Sequence, residues 1–220
     1  MIIVLLGKSG AGKDAIQNQL VEDGFERIVT CTTRPMREGE VEGKDYFFLS
    51  RNEFENKLLE NDIIEYRTYK TLVDNNPDIW YYGTPKQELD NEKDYVIILD
   101  KEGAENFIDY YGSNDCFTVY VDLDDDTRTK RAMARGSFNM SEWQRRLADD
   151  NDKFKDMSVF ADYTIVNNRT VREATSDIEI AFYNSTRIKR FGIEDIMFEK
   201  ESVLNSFSLE DNSDLDLEIG

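Results

Sequence analysis

The chain has 220 residues, with 46 Asp and Glu against 27 Lys and Arg, a formal net charge of −19 and no histidine. A hydrophobic share of 40% suffices for a sizeable core, which excludes wholesale disorder and points to one compact α/β domain with an appendage. The missing histidines exclude Ser-His-Asp and Cys-His catalysis and the common histidine-bound metals, and the acid excess disfavours nucleic acid and anionic membranes, so any anionic ligand needs a local cluster of cations.

The opening Met1–Leu6 is apolar but too short, and too poor in basic flanks, for a signal or a membrane span; it reads as a buried strand. A helix is expected over Asp14–Asp23 and a strand over Glu26–Val29. Residues 30–86 differ, with frequent Tyr, Phe, Thr and Gly in short runs, and read as a β-rich insert; within it, Ser50 and Glu53 form a capping box that opens a helix through Leu59. Alternation then resumes with strand Tyr95–Leu99, helix Lys101–Tyr111, strand Cys116–Val121, helix Asp126–Ala134, helix Ser141–Met157 with a capping box from Ser141 to Gln144, strand Tyr163–Val166 and helix Val171–Tyr183. That order predicts a parallel sheet flanked by helices, formed by residues 1–29 and 87–190, with the insert over the carboxyl edge where open α/β sheets bind ligands. From Asp195 to Gly220 there are eight acidic residues against Lys200 alone, so residues 191–220 read as an acidic tail. Cys31 and Cys116 are too few for a disulfide framework or a zinc cluster, which suits a reduced, cytoplasmic setting.

Directly after the first strand, Gly7, Lys8, Ser9, Gly10, Ala11, Gly12 and Lys13 fit G-x-x-x-x-G-K, and Asp14 stands where Ser or Thr is usual. Glycines there let successive backbone N–H groups turn onto a phosphate at a helix N-terminus, and Lys13 adds a mobile charge for the β- and γ-phosphates. This implies a nucleoside triphosphate site, and leaves ATPase, GTPase and kinase open. Arg34 and Arg37, three residues apart, with Tyr46 after a turn, supply donors for a second anion.

Thr30 to Arg37, Gly43 to Phe48, Ile64-Glu65-Tyr66 and Tyr81-Tyr82-Gly83-Thr84 follow in order the nucleoside-monophosphate region of the guanylate kinase family, which the chain resembles. The likeness implies a GMP phosphate held by Arg34, Arg37, Tyr46 and Tyr82, and a guanine faced by Thr30, Glu65, Gly83, Thr84 and Asp100. It continues through Arg131, Arg135, Gly136, Arg146 and Leu147 in a helical lid around residues 125–148, and to Asn167 near the adenine of ATP. It spans roughly residues 1–185 and departs from the family at two places. The stretch Thr71–Ile79 is longer than the usual turn, which implies a reshaped pocket rim, and Asp14 replaces the hydroxyl that meets magnesium.

The resemblance therefore implies an ATP-dependent GMP kinase, dGMP being a possible second substrate, with Mg²⁺ as cofactor and Asp14 as its ligand, and with Lys13, Arg34, Arg131, Arg135 and Arg146 catalytic. ATP and GMP would be its partners, without nucleic acid or membrane, as a monomer or homodimer. A kinase for another monophosphate, and a binding module that has lost catalysis, are the alternatives.

Overall fold

Five apolar residues in a row, Ile2–Leu6, are all buried, as expected for a strand of a parallel sheet covered on both faces. The structure is a computed structural model and describes residues 1–73, 76–134 and 138–186. Its elements are β1 (Ile2–Leu6), α1 (Lys13–Glu22), β2 (Glu26–Arg27), β3 (Cys31–Thr32), β4 (Phe47–Phe48), α2 (Arg51–Leu59), β5 (Ile63–Val73), β6 (Asn76–Pro85), β7 (Tyr95–Ile98), α3 (Lys101–Tyr111), β8 (Cys116–Asp122), α4 (Asp125–Met133), α5 (Met140–Lys153), α6 (Met157–Phe160), β9 (Tyr163–Val166) and α7 (171–186).

A parallel sheet runs in the order β2-β7-β1-β8-β9. Ile2, Val4 and Leu6 share a core with Ile97, Leu99, Phe107, Tyr120 and Met157, each large apolar side chain contributing about 1.5–3 kcal/mol on burial. Phe107 comes from α3, whose N-cap Asp100 accepts from Gly103 N. The carboxyl ends of β1 and β7 are thereby fixed side by side, and the phosphate-loop motif and Asp100 follow them.

A second sheet, β4-β3-β6-β5, is built from the 30–86 region, and its own small core holds Cys31, Phe54 and Ile63. Phe54 is the buried residue of α2, which opens with the reciprocal Ser50–Glu53 capping box. Burial pushes the Cys31 thiol up to about 12, and Cys116 is buried as well. Cys31 therefore stays a thiol at neutral pH and Cys116 is shielded by burial, so iodoacetamide at pH 8 is expected to leave the native protein unlabelled and to label both cysteines in denaturant, as mass spectrometry would read.

Three sequence expectations change. The extra length of Thr71–Ile79, expected to reshape the pocket rim, extends a hairpin instead: β5 and β6 pair in register from Tyr69–Trp80 out to Val73–Asn76. The helix expected over Ser141–Met157 is broken between α5 and α6, where Asp156 takes a left-handed φ of 57°, a conformation Asp tolerates better than most residues. Ser141 is not the cap, because α5 begins at Met140 and the Ser141 hydroxyl donates to Asn139 Oδ1 at 2.7 Å.

Contacts divide the chain after Ile178. Residues 1–178 form the unit described above, while in the second unit residues 179–186 are helical and the Thr186 hydroxyl donates to Phe182 O. The acidic tail, residues 191–220, and Arg135 and Gly136 of the lid motif lie outside the described residues. Among the described residues no helix is long and apolar enough to cross a membrane.

Candidate active site

The loop after β1 is shaped by close approaches that a side chain would prevent. Gly7, at φ 151°, lies against β8 so closely that a Cβ would stand 2.5 Å from Val121 O; Gly12, at φ 99°, caps α1, and a Cβ there would meet Asn167 Nδ2 at 2.5 Å. Lys13 folds back along the loop, its Nζ donating to Gly7 O (2.6 Å) and Lys8 O (3.1 Å). Asp14 follows as the acidic residue of the first turn of α1 and is exposed.

Two side chains distant in sequence brace this loop. Arg128 of α4 is fully buried and donates through Nη1 to Ser9 O (2.7 Å) and Asp150 Oδ2 (3.0 Å), and through Nη2 to Asp125 Oδ1 (2.6 Å). Asp150 of α5 in turn accepts from Ser9 N at 2.8 Å, and Lys8 Nζ donates to Asn151 Oδ1 at 2.9 Å. Sequence reading missed Arg128 and Asp150, which looked like members of solvated helix faces. A further brace was expected to act on phosphate: Arg131 donates to Ala11 O (3.3 Å) and Asn167 O (3.0 Å). Asn167 sits just past β9 and donates from Nδ2 to Ala11 O at 2.7 Å, while its Oδ1 is buried and accepts no hydrogen bond.

A second cationic group lies in the inserted sheet. Arg34 is 4% exposed, its guanidinium donating to both Glu40 oxygens (3.0 and 2.6 Å) and to Pro35 O, with its Cζ 5.5 Å from the Tyr46 ring centroid. The Glu40 carboxylate holds the Arg34 pKa above its ordinary value. Tyr46 and Tyr82 pack edge to face at 6.2 Å, and burial raises the Tyr46 hydroxyl so that it stays a neutral donor. Arg37 is exposed beside them, with its backbone N–H on Glu40 Oε2.

Carboxylates gather at the far end. Glu65 of β5 is 8% exposed and its Oε1 accepts from the Thr84 hydroxyl of β6 at 2.6 Å. Burial pushes its carboxyl above the usual range, against the opposing pull of Thr84 and of Arg67. Gly83 lies beside it in β6, where a Cβ would meet Glu65 O at 2.9 Å and Phe54 Cζ at 3.0 Å; here the glycine makes room for strand pairing. Asp100 was expected to face a base, yet both of its oxygens have protein donors: Arg67 Nη2 and Gly103 N reach Oδ1, and Arg67 Nε reaches Oδ2. Arg67 is the residue sequence reading passed over.

One cavity of 330 Å³ joins these ends, lined by Gly7, Ser9 and Lys13 on one side and by Thr30, Tyr46, Glu65, Tyr82 and Asp100 on the other. Arg34, Arg37, Arg131, Arg146, Asn167 and Thr84 stand outside that lining, with Arg146 exposed on α5. The lining offers the Lys13 cation at one end and the Glu65 carboxylate with Thr30 at the other, and Tyr46 and Tyr82 join it to the Arg34 group that stands outside.

The guanylate kinase family model matches residues 1–184. A guanylate kinase of Lactiplantibacillus plantarum is 34% identical over 212 residues, covering 93% of this chain and 95% of that protein, and one of Clostridium tetani is 31% identical over 212 residues, covering 93% and 96%. The crystal structure of guanylate kinase from Anaplasma phagocytophilum superposes with a TM-score of 0.59 at 23% identity, covering 88% of this chain and 96% of that one, a likeness of fold.

Proposed function

The chain belongs to the guanylate kinase family, enzymes that phosphorylate GMP with ATP, and we propose that its residues divide that work between the two ends of one cleft. The loop of Gly7 to Lys13 holds the ATP phosphates, the group of Arg34, Arg37, Tyr46 and Tyr82 holds the GMP phosphate, and Glu65 with Thr30 and Thr84 reads guanine. The observation that carries this division is the cavity in which Lys13 and Glu65 face the same space. Glu65 suits the base because an ionised carboxylate only accepts hydrogen bonds, and guanine offers two adjacent donors, N1–H and N2–H, where adenine does not. Asn167 Oδ1, buried and without a donor, suits the exocyclic amine of adenine in ATP.

Phosphoryl transfer proceeds through a loose in-line transition state and needs alignment and charge neutralisation more than proton abstraction. The absence of histidine is therefore no obstacle. Lys13 and Arg34 stand at the two phosphate groups, and Arg135 and Arg146 of the lid share the developing charge on closure, which keeps water from the γ-phosphate. Arg131, tied to the loop backbone, contributes by fixing the loop's shape.

Magnesium belongs to the same reading. Among the described residues no three metal-binding side chains cluster, which suits an ion carried in on substrate phosphates and met by one carboxylate and water. Asp14, exposed at the start of α1 beside Lys13, is that carboxylate. When bound, the ion neutralises and orients the β- and γ-phosphates. Asp14→Ala is expected to lower kcat strongly and to raise the Mg²⁺ concentration needed for half-maximal rate, while Asp14→Ser, which supplies a hydroxyl oxygen, keeps much of both. Equal rates for wild type and Asp14→Ala across a Mg²⁺ titration would remove the metal role.

The test of the whole reading is steady-state ADP release with GMP, dGMP, AMP, CMP and UMP in turn. GMP should give the highest kcat/KM. A different preferred monophosphate would reassign the base site, and no turnover with any of them would favour a binding module. With a net charge of −19 we infer partners among small nucleotides, not nucleic acid, and a cytoplasmic setting suited to two free cysteines.

A further inference from the structure

Arg67 stands at the base end of the cleft with more acidic neighbours than any role in strand pairing requires. Its Nε and Nη2 form a two-point contact with Asp100 Oδ2 (3.0 Å) and Oδ1 (2.8 Å), its Nη2 lies 3.5 Å from Glu102 Oε2, and its Nη1 lies 3.8 Å from Glu65 Oε2 while donating to Tyr66 O at 2.6 Å. Asp100 is held in turn by Gly103 N, and a Cβ on Gly103 would stand 3.1 Å from Glu65 Oε2 and 3.2 Å from Asp100 Oδ1. Two carboxylates thus converge on the first turn of α3, with one guanidinium bridging them.

We propose that Arg67 is a positioning residue for base selectivity, locking Asp100 to the N-terminus of α3 so that Glu65 alone presents free acceptor capacity to the guanine edge, with a positive charge beside it. Geometry supports the division. Asp100 carries three donors, two on Oδ1 and one on Oδ2, whereas among the described residues Glu65 carries one, the Thr84 hydroxyl on Oε1, with the more distant Arg67 charge beside Oε2. A two-point guanidinium–carboxylate contact is also the arrangement that resists rotation of either partner.

The charge has a second effect. Groups facing Glu65 are Arg67 on its own strand, Thr84 and Tyr82 on β6, Cys31 of β3, Asp100 and Glu102 at the start of α3, and, around the cavity, Tyr46, Lys13 of α1 and Asp150 and Lys153 of α5. Burial and the acidic neighbours Asp100 and Glu102 raise the Glu65 carboxyl, and the Thr84 hydrogen bond and the Arg67 charge oppose them. At Asp100 burial pulls upward too, but the Arg67 and Gly103 hydrogen bonds prevail and keep that carboxyl below its usual range. Without Arg67, Glu65 protonates at a higher pH. A protonated carboxyl has lost acceptor capacity and cannot take both guanine donors.

The inference rests on GMP being the ligand of this cleft. Its test is the pH profile of GMP affinity by calorimetry, and of kcat/KM for GMP, in wild type, Arg67→Met, Arg67→Lys and Glu65→Gln. The GMP phosphate itself ionises near about pH 6, but equally with every variant, so the difference between profiles is the readout. Arg67→Met should move the acid limb upward by about one pH unit, the effect expected of a cation near a carboxylate, with KM for ATP unchanged. Arg67→Lys, keeping the charge and losing the fork, should return most of the limb while GMP affinity stays several-fold weaker. Glu65→Gln should lack that component of the limb, a result that tests the assignment even if Arg67→Met fails to fold. A limb unmoved in Arg67→Met, with GMP binding weakened equally at every pH, overturns the inference and leaves Arg67 a structural ion-pair partner. Wild type that binds no GMP overturns the underlying reading instead.

Discussion

Replacing Lys13 with Met is expected to lower kcat by about two to three orders of magnitude, the range found when one preorganised charge or donor is withdrawn from a transition state. In the structure the ammonium group folds back on Gly7 O and Lys8 O, within reach of the cleft. Charge builds on the transferring oxygens as the bond to the leaving group lengthens, so the loss should fall more on kcat than on KM for ATP. Methionine keeps the length of the side chain and removes the charge. Two such hydrogen bonds contribute about 2 kcal/mol together, so Tm should fall by about 4–8 °C, and thermal melts beside stopped-time assays would separate lost chemistry from lost fold.

Glu65→Ala carries the second large effect. If the carboxylate takes N1–H and N2–H, its removal strands two donors in a partly buried pocket, at about 1.5 kcal/mol each, so kcat/KM for GMP should drop by roughly a hundredfold. AMP makes no such pair and should be used no worse than before, so the ratio of GMP to AMP turnover collapses. Glu65→Gln should also weaken GMP, because an amide turns a donor toward one of the two base donors. Thr84 loses its acceptor in the alanine variant, a contribution that Thr84→Val isolates. An unchanged GMP to AMP ratio in Glu65→Ala would move base recognition elsewhere in the cleft.

What could be seen in advance follows from how local the cause is. Strand β1, helix α3 and strand β9 match their expected limits because each carries its own signal: five apolar residues in a row, an Asp cap before an amphipathic run, or a short β-branched stretch. The phosphate loop is legible for another reason: its residues form one short motif directly after a strand, although the contacts that exclude side chains at Gly7 and Gly12 come from Val121 and Asn167, far along the chain. Arg67 is different. Its partner Asp100 is 33 positions away, and nothing in Glu65-Tyr66-Arg67 signals that the strand will bring that arginine onto the cap of α3. Arg128 and Asp150 are 22 positions apart and brace Ser9 from two further elements, so in sequence each looks like a charge on a solvated helix face. The stretch Thr71–Ile79 stands out in sequence only by its length; that the extra residues continue the strands past Tyr69 and Trp80 depends on pairing across the hairpin, which no single residue signals.

That hairpin also touches the lid side, since Arg145 Cζ of α5 lies 5.6 Å from the Tyr69 ring, which stacks on Trp80 at 6.4 Å. The β5–β6 hairpin and the helix that carries Arg146 are therefore in contact. Such a contact suits an enzyme that must exclude water before transfer.

Passage of the γ-phosphoryl group from ATP to GMP within this cleft, and not to water, is read most directly by following label. The full chain, incubated with ATP labelled at the γ-phosphate, Mg²⁺ and GMP, should put the label into GDP, one GDP for each ADP formed, with little free phosphate and none of this in the Lys13→Met protein. Label appearing chiefly as inorganic phosphate, or remaining on ATP while both nucleotides bind, would contradict it.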